Sequence, residues 1–205
     1  MTNVNEAKMP GKSKQKSAFV DFPVSDLIKN RRSTRVFTDE LISQEKIYSL
    51  FEATRWAPSS TNEQPWLYLY ATKDQTELWN TFITPLNENN QIWVKDAPLL
   101  IVSLARKEFQ RNGRTNAYAM YDLGGANSIL SLQAVELGLQ TRQLAGFNRE
   151  TARTVLNIPE NYELGVFIAV GYPGDPETLP EVVRIKELAP RERFVQNEFV
   201  RNSIF

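Results

Sequence analysis

The chain has no cysteine and no histidine among its 205 residues. That removes disulfides, thiol nucleophiles, zinc fingers, haem held by Cys or His, and every mechanism built on an imidazole base. Glycine is scarce, at nine residues. Neither GxGxxG nor GxxxxGK(S/T) occurs, so the usual glycine loops that cradle a dinucleotide or a triphosphate are missing. A surplus of one charge is missing too. Lys plus Arg number 24 and Asp plus Glu number 24, so no nucleic acid partner is expected. No stretch approaches the roughly 18 apolar residues of a membrane span, and no apolar run of a secretory signal follows the first charges. The expected location is cytoplasmic, with no membrane partner. No carboxylate cluster suggests a metal site. Whatever chemistry the chain performs should belong to a bound organic cofactor.

What is present is ordinary soluble composition, 41% apolar and 23% charged, with enough length for one sizeable core. Residues 1–20 carry four Lys against one Glu and read as a disordered leader. Residues 21–205 read as a single domain with a C-terminal arm from about 178. Phe194, Val195, Phe199 and Val200 in that arm have no evident local partner. Ser25 and Ser43 are plausible caps for two early helices. Trp66 to Thr72 is strand-like, and Asp74 to about Phe82 helical. Asn87 to Asn90 reads as polar loop. Leu99 to Ala105 is a continuous apolar run, as for a strand buried on both faces. Leu123, Ala126, Leu130, Ala134 and Leu137 step by three and four within a long helix over roughly Asn116–Leu137. A strand near Gln140–Leu144, a helix capped by Asn148 and a strand at Leu164–Val170 follow. This interleaving predicts an α+β or α/β domain built as a three-layer sandwich. Trp56, Trp66 and Trp93 are expected in the core or at an interface.

Two segments could carry binding chemistry. Arg31, Arg32, Ser33 and Arg35 lie within five residues, and Arg191 and Arg193 follow Pro190. Guanidinium forks suit phosphate, because they make paired charge-assisted hydrogen bonds. Like charges about 6 Å apart repel by on the order of 2–3 kcal/mol per pair at an effective dielectric near 20, and an anion between them removes that cost. By itself the cluster reads first as a solvated basic surface with scattered salt bridges. The second segment, APSSTNEQPW at 57–66, offers uncharged donors and acceptors on a proline-restricted backbone. By itself it reads first as a capped turn entering a strand.

Taken in order, RRSTR at 31–35, APSSTNEQPW at 57–66, KDAP at 95–98, YDLGGANSILSLQAVELGLQT at 121–141, GF at 146–147, AVGYPG at 169–174 and PRER at 190–193 resemble the FMN-dependent nitroreductase family. The resemblance implies an α+β, three-layer α/β/α sandwich and an intertwined homodimer with FMN at the subunit interface. It implies that Arg31, Arg32, Ser33 and Arg35 line one side of the flavin and that Arg191 and Arg193 complete the phosphate site. Pro58, Ser59, Ser60 and Asn62 would come from the partner subunit, with Gln64 and Asn90 as further contacts. Gly146 would present backbone to the flavin's reactive edge. Two departures stand out. Ala145 precedes Gly146 where many members have an acidic residue. Trp93 lies where some carry a Lys, leaving Arg35 as the expected cation beside the reduced ring.

The same resemblance implies NADH or NADPH as reductant and a small-molecule electron acceptor, such as a nitroaromatic or quinone, reduced by two electrons in ping-pong fashion. No catalytic side chain is assigned. Alternatives are another flavin reaction on this scaffold (reductive dehalogenation, enoate reduction or flavin destruction) and a non-catalytic flavin-binding module.

Overall fold

The computed structural model describes residues 20–204, so the leader expected over 1–20 lies, except for Val20, outside the described residues. The chain forms helix α1 (Asp26–Asn30), α2 (Gln44–Arg55), strand β1 (Trp66–Thr72), α3 (Thr76–Ile83), α4 (Glu88–Val94) and β2 (Leu99–Arg106). There follow α5 (Ala119–Glu136), β3 (Gln140–Leu144), α6 (Arg149–Val155), β4 (Tyr162–Gly171) and α7 (Glu181–Leu188). Helix starts follow capping chemistry. Ser25 accepts from the Leu27 N–H at 3.3 Å, and Asn148 from the Thr151 N–H at 2.9 Å. Each satisfies an amide that has no partner within its helix.

The expectation of a loop over Asn87–Asn90 is corrected. Asn87 caps α4, its side chain accepting from the Asn90 N–H at 3.0 Å. The polar run is therefore a cap and a first helical turn, and the anchoring residues Trp93 and Val94 come later and are buried.

The strands make one antiparallel sheet in the order β1-β2-β4-β3. Side chains alternate across it. Leu99 and Ile101 of β2 pack with Ile47 and Leu50 of α2 and Leu130 and Ala134 of α5. Leu100, Val102 and Leu104 face Trp79 and Phe82 of α3 and Trp93 and Val94 of α4. Helices thus cover both faces, giving the three layers and the buried central strand. Among the described residues no helix is long and apolar enough to cross a membrane.

The sheet is irregular at one point. Register shifts between Val102 and Leu104 on β2, and the intervening Ser103 Oγ donates to the Val166 carbonyl at 3.0 Å and accepts its N–H at 3.1 Å. The hydroxyl replaces ladder bonds that the bulge removes. Gly165 lies against it. A Cβ there would fall 2.6 Å from Ser103 Oγ and 2.8 Å from its carbonyl oxygen, so the close approach requires glycine.

Trp93 belongs to the core, whereas Trp56 is 75% exposed and has no place in the core of this chain. The C-terminal segment is not uniform either. Helix α7 packs back on the same chain through Glu187, while Phe194 (78% exposed) and Phe199 (66%) stand in solvent.

Candidate functional site

Helix α1 ends at Arg31, and the next residues run extended along the outer edge of β3. Side chains hold them there. The Arg32 N–H donates to Gln140 Oε1 at 2.9 Å, and Gln140 Nε2 donates to the Asn30 carbonyl at 3.2 Å. Arg142, two residues along β3, donates from Nη1 to the Ser33 carbonyl at 2.5 Å. The chain then joins the turn after β4, where the Thr38 N–H donates to the Tyr172 carbonyl at 3.0 Å.

The C-terminal segment closes over this stretch. Arg191 donates from Nη1 to the Arg31 carbonyl (2.8 Å) and from Nη2 to the Lys29 carbonyl (2.6 Å). Arg32 Nη2 donates to the Glu187 carbonyl at 3.3 Å. The Glu187 carboxylate is buried. It accepts the Arg35 N–H at 3.1 Å and faces the Arg35 guanidinium at 3.6 Å. Arg31, Arg32, Arg35 and Arg191 therefore gather at one place, and Ser33 lies among them, accepting from Arg31 Nη1 at 3.2 Å. Arg193 is exposed, with Nη1 turned to the Glu192 carbonyl.

The charges are unbalanced. Burial, and then repulsion from Arg193, lower the pKa of Arg31. Burial, and then Arg32, Arg31 and Arg193, lower that of Arg191. Burial, then Arg35, bring Arg142 down to about 10 against the opposing pull of Glu187. The Nε atoms of Arg142 and Arg191 are buried without a hydrogen-bond partner. Such a cluster favours an anion, because each added negative charge relieves several repulsions at once.

Beside it opens a cavity of about 330 Å³, lined by Arg31 and Ser33, Ser128, Ser131 and Leu132 of α5, and Thr141 and Gln143 of β3. Its size lies at the small end of ordinary ligand pockets. The walls mix hydroxyls and the Gln143 amide with Leu132 and the apolar carbon of the other side chains, and Arg31 brings a cation to the edge. A polar, hydroxyl-bearing ligand with an anionic end suits that combination.

Gly146 follows β3. Its carbonyl accepts from Asn90 Nδ2 at 3.0 Å and from the Asn87 N–H at 3.2 Å. A Cβ would lie 2.8 Å from Asn90 Nδ2 and closer still to the Asn87 amide, so a side chain there would have to displace both amide groups. Asn90 thus touches Gly146 rather than the arginines.

The loop of Pro58, Ser59, Ser60, Asn62 and Gln64 lies elsewhere. It adjoins the Trp66–Ala105 end of the β1–β2 pair, whereas the arginine segment adjoins the turn after Gly171, towards the Leu99 end of β2. About six strand steps, roughly 20 Å, separate those ends. One chain does not bring the loop to the arginines. The loop is nevertheless fixed in shape. Ser60 N–H donates to Asp122 Oδ2 at 3.0 Å, Gln64 N–H to Ser59 Oγ at 3.0 Å, and Gln64 Nε2 to Asn62 Oδ1 at 3.2 Å. Thr61, Asn62 and Gln64 all take positive φ, at 54°, 57° and 52°. For the β-branched Thr61 this is a strained conformation that neighbouring contacts must hold.

Sequence reasoning passed over Arg142 and Glu187. Arg142 left a trace, since strand alternation puts it on the same face as the buried Leu144. Glu187 left none, because only the closure of α7 over Arg35, 152 residues away, gives it a partner.

A sequence profile of the nitroreductase family matches residues 28–172. A protein of Archaeoglobus fulgidus assigned as an NADH dehydrogenase/NAD(P)H nitroreductase is 30% identical over 161 residues, covering 76% of this chain and 88% of that one. Iodotyrosine deiodinase 1 of Sus scrofa is 26% identical over 185 residues, covering 78% of this chain but 64% of its own length, so the chain spans less than two thirds of that relative. A crystal structure described as an oxidoreductase containing FMN superposes with a TM-score of 0.86 at 28% identity, covering 96% of this chain and 98% of its own.

Proposed function

This chain belongs to the nitroreductase family, and on that premise we propose that it is an FMN-dependent NAD(P)H oxidoreductase that reduces small acceptors such as nitroaromatics or quinones by two electrons. The observation that carries the reading is the excess of guanidinium over carboxylate beside a cavity of mixed apolar and hydroxyl lining, with buried Nε atoms that lack partners. The FMN-containing structural neighbour supports the same cofactor. When bound, FMN supplies hydride acceptance and two-electron delivery, which these side chains cannot provide.

The chain's own groups have definite tasks. Arg31, Arg191 and Arg193 take the phosphate, with Arg32 completing the basic rim. Ser33, Ser131, Thr141 and Gln143 hydrogen-bond the polyol and ring edges. Arg35 would stand near the anionic end of the bound ring. Asn90 holds the Gly146 backbone in place at the reacting edge. The Pro58–Gln64 loop is too far away to serve its own chain's arginines, so Pro58, Ser59, Ser60, Asn62 and Gln64 of a second copy cover the other side. A homodimer also gives Trp56, Tyr121, Phe194 and Phe199, all exposed in one chain, an apolar partner.

The test is direct. The purified protein should bind FMN, oxidise NADH or NADPH with a quinone or nitroarene present, and give parallel double-reciprocal lines. Failure to take up added FMN refutes the reading. The likeness to iodotyrosine deiodinase favours one second reading, reductive dehalogenation. Halide release from iodotyrosine, with nitroarenes left unreduced, would select it.

A further inference from the structure

One half-buried guanidinium, that of Arg142, has no task yet. Arg142 lies on β3 between two residues that line the cavity, Thr141 and Gln143. Its own side chain points to the opposite face of the strand. There its guanidinium carbon sits 5.4 Å from the centre of the Trp93 ring, its Nη1 holds the Ser33 carbonyl, and its Nε has no partner. Arg35 and Glu187 are its charged neighbours. Arg35 is already half neutralised, because the Glu187 carboxylate takes both its N–H and its guanidinium. An Arg35–Glu187 pair alone would present almost no net charge to a ligand. Arg142 makes the group of three positive by one. Because it is partly desolvated, that charge is screened less than one on the surface.

We infer that Arg142 is a positioning residue for the flavin site: it fixes the Arg31–Arg35 segment through the Ser33 carbonyl and supplies the net positive charge that favours the reduced, anionic state of the bound ring. This rests on the FMN reading. Two consequences separate it from simple structural support. Removing the charge should weaken binding of reduced FMN more than oxidised FMN. Removing the opposing charge of Glu187 should do the reverse.

The experiment is an anaerobic spectroelectrochemical titration of the full chain loaded with FMN. Arg142→Gln should lower the ratio of reduced to oxidised FMN affinity about tenfold, which for two electrons is a midpoint potential about 30 mV more negative. Arg142→Lys should restore most of the difference, and Glu187→Gln should move the potential in the positive direction. An Arg142→Gln protein that keeps FMN at an unchanged potential overturns the inference. So does a shift of the same sign in Arg142→Gln and Glu187→Gln, which is what local damage would give. If Arg142→Gln does not fold, an unmoved potential in Glu187→Gln overturns it equally. A wild-type chain that takes up no FMN refutes the functional reading itself, a result distinct from flavin that is bound but indifferent to Arg142.

Discussion

Replacing Arg191 with Ala tests the phosphate assignment most sharply, because its two roles predict different ligand dependence. Structurally, Arg191 clasps the carbonyls of Arg31 and Lys29 at 2.8 and 2.6 Å. Hydrogen bonds from a charged donor contribute about 1.5–3 kcal/mol each. Against this, Arg191 is repelled by Arg32, Arg31 and Arg193, at about 2 kcal/mol per close pair before screening. Without ligand the two effects largely offset, so Arg191→Ala should change the stability of the apoprotein by no more than about 1–3 kcal/mol. With a phosphate present the repulsion disappears and one charged donor to the ligand is lost as well. FMN affinity should then fall roughly 10- to 150-fold, the equivalent of one charge-assisted hydrogen bond. Riboflavin has the same ring and polyol but no phosphate, so its affinity should be almost unchanged. Fluorescence-quenching titrations of both ligands against both proteins decide the matter. Equal losses for FMN and riboflavin would mean that Arg191 only shapes the segment. No loss for FMN would remove Arg191 from the site.

Three further outcomes are expected. Tyr68 is buried with its hydroxyl donating to Asn127 Oδ1 at 3.0 Å, and burial holds its pKa well above the usual range. The unfolded chain releases this proton near pH 10 while the folded chain keeps it, so stability should fall above pH 10 by up to about 1.4 kcal/mol per pH unit from this group. Urea unfolding from pH 8.5 to 11 should show a shallower decline for Tyr68→Phe, and equal slopes would contradict the burial argument. Gly165→Ala forces a Cβ into Ser103 and should cost about 1–3 kcal/mol, read as a lower urea midpoint; an unchanged midpoint refutes the close-approach account. The wild type should sediment as a dimer at micromolar concentration and Phe199→Asp should weaken that association, whereas a monomeric wild type would break the proposal that a second copy completes the site.

The helices and strands were legible in the sequence because their causes are local. Capping residues at Ser25, Ser43 and Asn148, the apolar run at β2 and the spacing of three and four along α5 each act over a few residues. Helix α4 was misread because its polar start and buried end fall in different windows. The guanidinium groups of the site were also visible, since Arg31–Arg35 is contiguous and PRER is a compact motif. Their electrostatics were not visible. Whether Arg35 is a free cation depends on Glu187, and whether the group is positive depends on Arg142. Those three residues meet only after β3 has paired with β4 and α7 has folded back. Sequence spacing carries no trace of that closure.

The charge arrangement also explains why the C-terminal segment matters to a ligand that the sheet and α5 already border. Apart from α7 and Arg191, the side chains of Gln140 and Arg142 hold the Arg31–Arg35 stretch to β3. Helix α7 adds one carboxylate, Glu187, beside Arg35, which reduces the repulsion. Arg191 then adds a positive charge and two hydrogen bonds to the same stretch. The segment therefore steadies the cluster while keeping it positive. A fully neutralised cluster would be more stable alone but would gain little from an anion. This one keeps part of its repulsion until the anion arrives, so binding should appear as added stability. At a hundredfold excess of ligand over its dissociation constant that gain is about 2.7 kcal/mol. Much of it should disappear when phosphate-free riboflavin, at the same concentration, replaces FMN.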